Sequence, residues 1–412
     1  MPSSTKTRRS FGLRLLAVFQ ALLIFASIFS PIPAFAVDPP PTTGTYLVTF
    51  VAGTTDAEQV AALDAVFATT DRVILPLNMR VITLPLDQFE VLASDPILAV
   101  APEADTTRAI ADAPDDPSYA SQWSLPMIGW DVARDTIPVT PVTPAIVAVL
   151  DTGVDASHPD LAGQLVPGIN ILDEPAGTAD SNGHGTAMAG IIAATTNNAT
   201  DIAGVGYAGV QVMPVTVLDA AGQGQDSDIV AGVVWATDNG ADVINMSFSG
   251  AGFSPALQAA IDYAWAHDVV VVAATGNGGS SAPTFPAGDR GVIGVSNTDQ
   301  TDALNPGSNY GEDTFLGAPG TDIATLATVA AGGGTTSVTG TSASSAEVAA
   351  AAALLAAADP SASNGTIVGR LARNADPAGT AAETGNGRLN LARALADFDT
   401  GYVEPAGAAP LG

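Results

Sequence analysis

A chain of 412 residues that is 47% hydrophobic has enough apolar material for a large core, and by length it accommodates two or three domains. With no cysteine it excludes disulfides, thiol catalysis and thiolate metal sites. The 42 acidic residues against 13 basic ones, a net charge of −29, argue against nucleic acid and anionic membranes as partners.

Residues 1–36 read as a secretory signal. Lys6, Arg8, Arg9 and Arg14 precede or open an apolar stretch from Leu15 to Phe29, and Ala34-Phe35-Ala36 offers small residues to a signal peptidase. The stretch is short for a membrane span, so the chain is expected to be released outside the cell, with no membrane association after cleavage. The general secretory route is the expectation, with twin-arginine export through Thr7-Arg8-Arg9-Ser10-Phe11 as the alternative. All four of those basic residues leave with the signal, so nine face the 42 acidic residues in the exported chain, a net of −33 without a single lysine.

Residues 37–112 read as a small α+β unit. Thr45–Val51 is strand-like, Asp56–Phe67 has helical spacing through Val60, Leu63 and Phe67, and Arg72–Pro76 and Met79–Leu84 are strand-like again. Leu86–Ala93 predicts a second helix and Pro96–Ala101 a last strand, giving the order β-α-β-β-α-β.

Beyond Asp115, apolar strands alternate with helices: Ala145–Leu150, Val210–Val217, Asp228–Asn239, Val243–Met246, Pro255–His267 and Val269–Ala274. The alternation predicts an α/β domain over residues 113–398, a parallel sheet with helices on both faces, followed by a loose tail over 399–412. Ligands of such sheets bind beyond the carboxyl ends of the strands, where Asp151, Ser247 and Asn277 fall. His184 and Ser342 each open an apolar helix near the same edge.

Three short motifs carry chemistry: Asp151-Thr152-Gly153 after a buried strand, Asn182-Gly183-His184-Gly185-Thr186, and Gly340-Thr341-Ser342. A serine hydroxyl is a weak nucleophile until a base takes its proton, and an imidazole serves best when a carboxylate fixes its tautomer. Taken singly, each has a bland reading: a strand-end Asp capping a turn, a helix-capping His, a Ser at an N-cap, and, for Asn277 in Gly276-Asn277-Gly278, a turn asparagine. Of the three histidines, His158 and His267 read as structural.

In the order Asp, His, Ser, with these glycines, the motifs resemble the subtilisin-like serine peptidases, over roughly Asp115 to Phe398. The resemblance implies that Ser342 attacks a peptide carbonyl, His184 relays the proton, Asp151 orients His184, and Asn277 with the Ser342 N–H holds the oxyanion. It also implies that residues 37–112 are an inhibitory propeptide, released near Ile110-Ala111, and that Ser247, Phe248, Ser249 and Gly250 bind substrate as the floor of the primary pocket. Ser249 stands where glycine is usual. Extended peptide is expected to pair with the strand leading into Ser247.

No cofactor is needed for such chemistry. Because oxygen ligands abound, calcium is the expected structural ion, and by resemblance Asp116, Asp160, Asn198, Thr200 and Ile202 would hold it. The expected partners are polypeptide substrates and the chain's own propeptide, and the expected state is a monomer. Departures from the family pattern are Ala187 in place of a histidine, and Ala343 to Ala349 after the serine, where Glu347 brings a carboxylate one helical turn from the nucleophile. An alternative reading follows from them: a catalytically weakened protein of the same fold that binds peptide or calcium.

Overall fold

A computed structural model describes residues 43–105, 113–136 and 144–408, so the signal sequence and the junction at Ile110-Ala111 lie outside the described residues. The chain divides into two compact units, Met1–Ala109 and Ile110–Gly412.

The first unit is an antiparallel sheet in the order β2-β3-β1-β4, built from β1 (Thr43–Thr49), β2 (Thr69–Ile74), β3 (Met79–Pro85) and β4 (Glu103–Ala104). Alternation in β3 buries Ile82 and Leu84 against Val48, Phe50 and Leu63, the last from helix α1 (Asp56–Ala65). A capping box closes the start of α1, with Glu58 and Thr55 satisfying each other's backbone N–H. Helix α2 is Phe89–Ala93.

Two expectations fail in this unit. Helix α1 ends at Ala65, and Phe67 takes a positive φ of 56° and is 76% exposed, so it does not join the core. The last strand is Glu103–Ala104 rather than Pro96–Ala101, of which Leu98 alone bridges, to Phe50. Helical spacing says which face a residue would take, but it does not say where the helix stops.

The second unit is organised by a seven-stranded sheet. Short helices α3 (Ser124–Met127) and α4 (Trp130–Thr136) lead into β5 (Ala145–Asp151), β6 (Ile169–Asn170), α5 (His184–Ala193), β7 (Val210–Thr216), α6 (Asp226–Asp238), β8 (Val243–Met246), α7 (Pro255–Ala266) and β9 (Val270–Ala274). The alternation read from the sequence stops there, but the sheet continues through β10 (Val292–Thr298) and β11 (Leu316–Pro319). Then follow the hairpin of β12 (Ile323–Leu326) and β13 (Thr335–Val338), and the helices α8 (Thr341–Ala358), α9 (Asn364–Arg373), α10 (Ala381–Thr384) and α11 (Leu391–Leu395). The strand order is β11-β10-β9-β8-β5-β7-β6, with every pair parallel.

Alternation along the strands explains why helices cover both faces. In β5, Val147 and Val149 enter the core with α5 and α8, whereas Ala148 and Leu150 enter the core with α6 and α7. In β9, Val270 and Val272 face the first core and Val271 and Ala273 the second. Helix α8 is apolar and long enough to cross a membrane by composition, yet 83% of that window is buried inside the protein, because it runs through the first core. The tail is not loose through its described part. Val403 N–H donates to Gly365 O, Ala408 N–H donates to Gly288 O, and Trp265 Nε1 donates to the Tyr402 hydroxyl.

Candidate active site

Asp151 is the last residue of β5 and is fully buried. A buried carboxylate needs partners. Both of its oxygens lie 2.9 Å from His184 Nδ1, and its Oδ1 accepts the Thr152 N–H at 2.7 Å. This leaves His184 Nε2 as the free face of the ring. Burial lowers the proton affinity of His184, but the charge and hydrogen bond of Asp151, with the charge of Asp180, outweigh it and hold its pKa above the ordinary 6.5.

The glycine after the histidine is needed for this approach. A Cβ on Gly185 would stand 2.0 Å from Gly153 O, so only glycine lets the first turn of α5 press against the turn after β5.

Ser342 is the second residue of α8, and its backbone N–H belongs to the first helical turn, where no intrahelical acceptor exists. Its hydroxyl donates to Ser247 O at 2.9 Å, and among the described residues its hydroxyl makes no hydrogen bond to His184. Ser247, just past β8, answers through its own hydroxyl, which donates to Ser342 O at 3.0 Å and pairs with Ser345 Oγ at 2.9 Å. Asn245 Nδ2 donates to the same Ser247 oxygen at 2.9 Å. The nucleophile candidate is thus pinned to the end of β8 by a polar network beneath it.

Asn277 follows β9 and is exposed. Its Oδ1 accepts from Thr341 N at 2.9 Å and from Thr341 Oγ1 at 3.2 Å, which commits the amide NH2 to the open side. A Cβ on Gly340 would come within 3.2 Å of Asn277 Nδ2, so the glycine before Thr341 keeps room for that amide.

Of the remaining substrate candidates, Phe248 is half-buried while Ser249 and Gly250 are exposed. They border a groove shared with Gly224, Asp226, Ile229 and Phe285. Extended peptide cannot pair with β8 itself, because β5 and β9 occupy both of its edges. The backbone available there begins beyond its carboxyl end, where Gly250 already pairs with Phe285 in an antiparallel bridge.

The five calcium candidates form one connected cluster. Asp116 Oδ2 accepts from Asn197 N at 3.0 Å and its Oδ1 from Asn198 N at 3.2 Å. Asp160 accepts from Asn198 Nδ2 at 2.8 Å and from Ile202 N at 3.1 Å, and Thr200 N–H donates to Asn198 Oδ1 at 2.8 Å. Burial raises both carboxyls, Asp160 to about 6, and neither forms an ion pair with an arginine among the described residues. Two buried carboxylates and an amide offer oxygen donors of the kind a hard cation takes, and each of the carboxylate oxygens already accepts an N–H. No group of three or more His, Cys, Asp or Glu side chains fit to hold a metal occurs among the described residues, so backbone and amide oxygens would have to complete such a site.

Glu347 differs from its expectation. It is fully buried in α8, and burial pushes its carboxyl up to about 8, with the Ser124 hydroxyl and the Arg388 guanidinium pulling it back only in part. Burial therefore favours its neutral form, which would add no negative charge behind Ser342. The other departures are also accommodated. Ser344 Oγ donates to Ala318 O at 3.0 Å, Ser345 Oγ to Ser342 O at 2.9 Å, and Ala187 O accepts the Thr325 hydroxyl.

Residues 143–393 match the model of the Subtilase family, which is more than half of the chain. The chain belongs to that family. It is a serine-type endopeptidase. Among its relatives, thermitase of Thermoactinomyces vulgaris is 38% identical over 213 residues, 50% of this chain and 74% of thermitase. The thermophilic serine proteinase of Bacillus sp. (strain AK1) is 40% identical over 210 residues, 51% of each chain. Fervidolysin of Fervidobacterium pennivorans is 40% identical over 222 residues, 50% of this chain and 31% of that relative. A solved protease from Pseudoalteromonas arctica superposes with a TM-score of 0.61 at 29% identity, covering 69% of this chain and 99% of its own.

Proposed function

We propose that this protease is exported, is made with residues 37–112 as its propeptide, and hydrolyses peptide bonds through an acyl-enzyme on Ser342. The observation that carries the reading is the buried Asp151 carboxylate on His184 Nδ1, to which the motifs add a serine at a helix start and an asparagine whose Oδ1 is held by Thr341. In the acylation step Ser342 Oγ attacks the carbonyl carbon as its proton passes to His184 Nε2. The carbonyl electron pair moves onto oxygen, where the Asn277 amide and the Ser342 N–H stabilise it. Collapse breaks the C–N bond, and the leaving amine takes the proton from His184. Water then repeats the sequence on the ester and frees Ser342.

For this the Ser342 hydroxyl must leave Ser247 O and turn towards His184. That bond is also what a catalytically weakened, peptide-binding reading would draw on. A serine-directed peptide phosphonate separates the two: covalent labelling at Ser342 with loss of proteolysis supports an acyl-enzyme on Ser342, and a folded protein that binds peptide without labelling overturns it. Ser342→Ala, expressed in a protease-free host, should keep its propeptide. Maturation of that variant to the wild-type N-terminus would refute self-processing. The division between Ala109 and Ile110 supports a propeptide boundary there. Calcium held by Asp116, Asp160 and the 198–202 loop would add stability without entering the chemistry.

A further inference from the structure

Asp180 lies in the loop before α5, outside the motifs that the sequence singles out. Its Oδ1 accepts from Thr152 Oγ1 at 2.8 Å, Asn182 N at 3.0 Å and Gly183 N at 2.8 Å. Its Oδ2 accepts from Thr186 N at 2.9 Å and Thr186 Oγ1 at 2.7 Å. Thr152 is the residue after Asp151, and its hydroxyl oxygen in turn accepts the Gly185 N–H at 3.1 Å. Thr186 Oγ1 accepts the Asp155 N–H at 2.9 Å. One carboxylate therefore ties the turn after β5 to the first turn of α5, on both sides of the Asp151–His184 contact. Five donors converge on its two oxygens, and a carboxylate suits the N-terminal end of a helix.

We propose that Asp180 is a positioning residue of the active site, a second carboxylate that locks the His184 helix to the Asp151 turn and so fixes the imidazole against its partner. The proposal rests on the triad reading above. The carboxylates that act on His184 are Asp151, from the end of β5, and Asp180, from the preceding loop, and both favour its protonated form.

The readout is the rate of phosphonate labelling at Ser342, followed across the acid limb of its pH profile. Asp180→Asn puts an NH2 group against one set of donors and removes the charge. It should slow labelling by about 10²-fold, the scale set by an ångström of misplacement, and move the acid limb to lower pH. Asp180→Glu should return the limb towards its wild-type position. Thr186→Val, which removes both hydrogen bonds of the Thr186 hydroxyl, to Asp180 and from the Asp155 N–H, and keeps the charge, should slow labelling without moving the limb. A folded Asp180→Asn protein with wild-type rate and limb overturns the proposal. Where that variant does not fold, wild-type rates in both Thr152→Val and Thr186→Val overturn it. Labelling of the wild-type protein that is lost in His184→Ala keeps the triad reading standing when the Asp180 variants are silent. Absence of labelling at Ser342 in the wild type defeats both.

Discussion

Ser342 draws whatever reactivity it has from its neighbours, so the residue scale is where the chemistry is tested. With Oδ1 of Asn277 held by Thr341, only its NH2 faces the site, and a side-chain amide in the oxyanion hole of a subtilisin is worth about 10²–10³ in turnover. Asn277→Ala should lower kcat by that factor and leave KM nearly unchanged, because the amide acts on charge that develops only in the transition state. A steady-state comparison with wild type in which kcat stays the same removes Asn277 from the site. The base must be neutral to take the serine proton, and the pKa of His184 is held above 6.5. Activity should therefore climb with pH through a value above 6.5, and an acid limb of kcat/KM centred below it would contradict the Asp151 and Asp180 environment. Asp151, His184, Ser342 and Asn277 stood out in the sequence as candidates because glycines and apolar runs flank them. Asp180 was not, since five donors drawn from separate turns converge on it only when the chain is folded.

At the scale of the element, α8 carries both the nucleophile candidate and a buried acid. Glu347 has a folded-state pKa of about 8 against an ordinary value of 4.5. The folded state thus binds its proton more tightly than the unfolded chain does. Stability from this group is retained below about pH 4.5, is lost progressively as pH rises towards 8, and is lowest above that. Glu347→Gln, which keeps shape and neutrality, should remove this alkaline loss and raise the thermal midpoint by several degrees at a pH above 8, with little change at pH 4.5. Thermal melts of both proteins at the two pH values check it. Equal midpoints at alkaline pH would mean that Glu347 is already compensated when ionised. The sequence could place Glu347 one turn from Ser342, but not say which way the helix turns it. On a helix immersed in a core, nearly every face is an inside face, and the periodic signal that normally orients a helix vanishes.

For the whole molecule, charge and the lack of disulfides set the problem. Beyond residue 36 nine basic residues face 42 acidic ones, so a cation that binds only the folded state is a direct source of stability. Such a ligand contributes RT ln(1 + [L]/Kd), about 2.7 kcal/mol at a hundredfold excess over Kd. Chelation should lower the thermal midpoint, calcium should restore it better than equal magnesium, and Asp160→Ala should blunt the response. Sodium chloride at matched ionic strength is the control: full recovery with it would assign the effect to screening of the acidic surface and dismiss the site.

The sequence by itself determined the fold class, the strand ends on which Asp151, Ser247 and Asn277 stand, and the chemical identity of the candidate triad. These depend on short-range pattern, since apolar runs and flanking glycines are local properties of the chain. Only the tertiary structure decided that Ser342 rests on Ser247, that Glu347 is buried, that the tail is pinned at Gly288 and Gly365, that β8 has no free edge for substrate, and that Asp180 clamps the histidine helix. Each of those depends on what lies within a few ångströms across segments remote in sequence, and burial and hydrogen bonding at that range are set by packing rather than by any stretch of residues read alone.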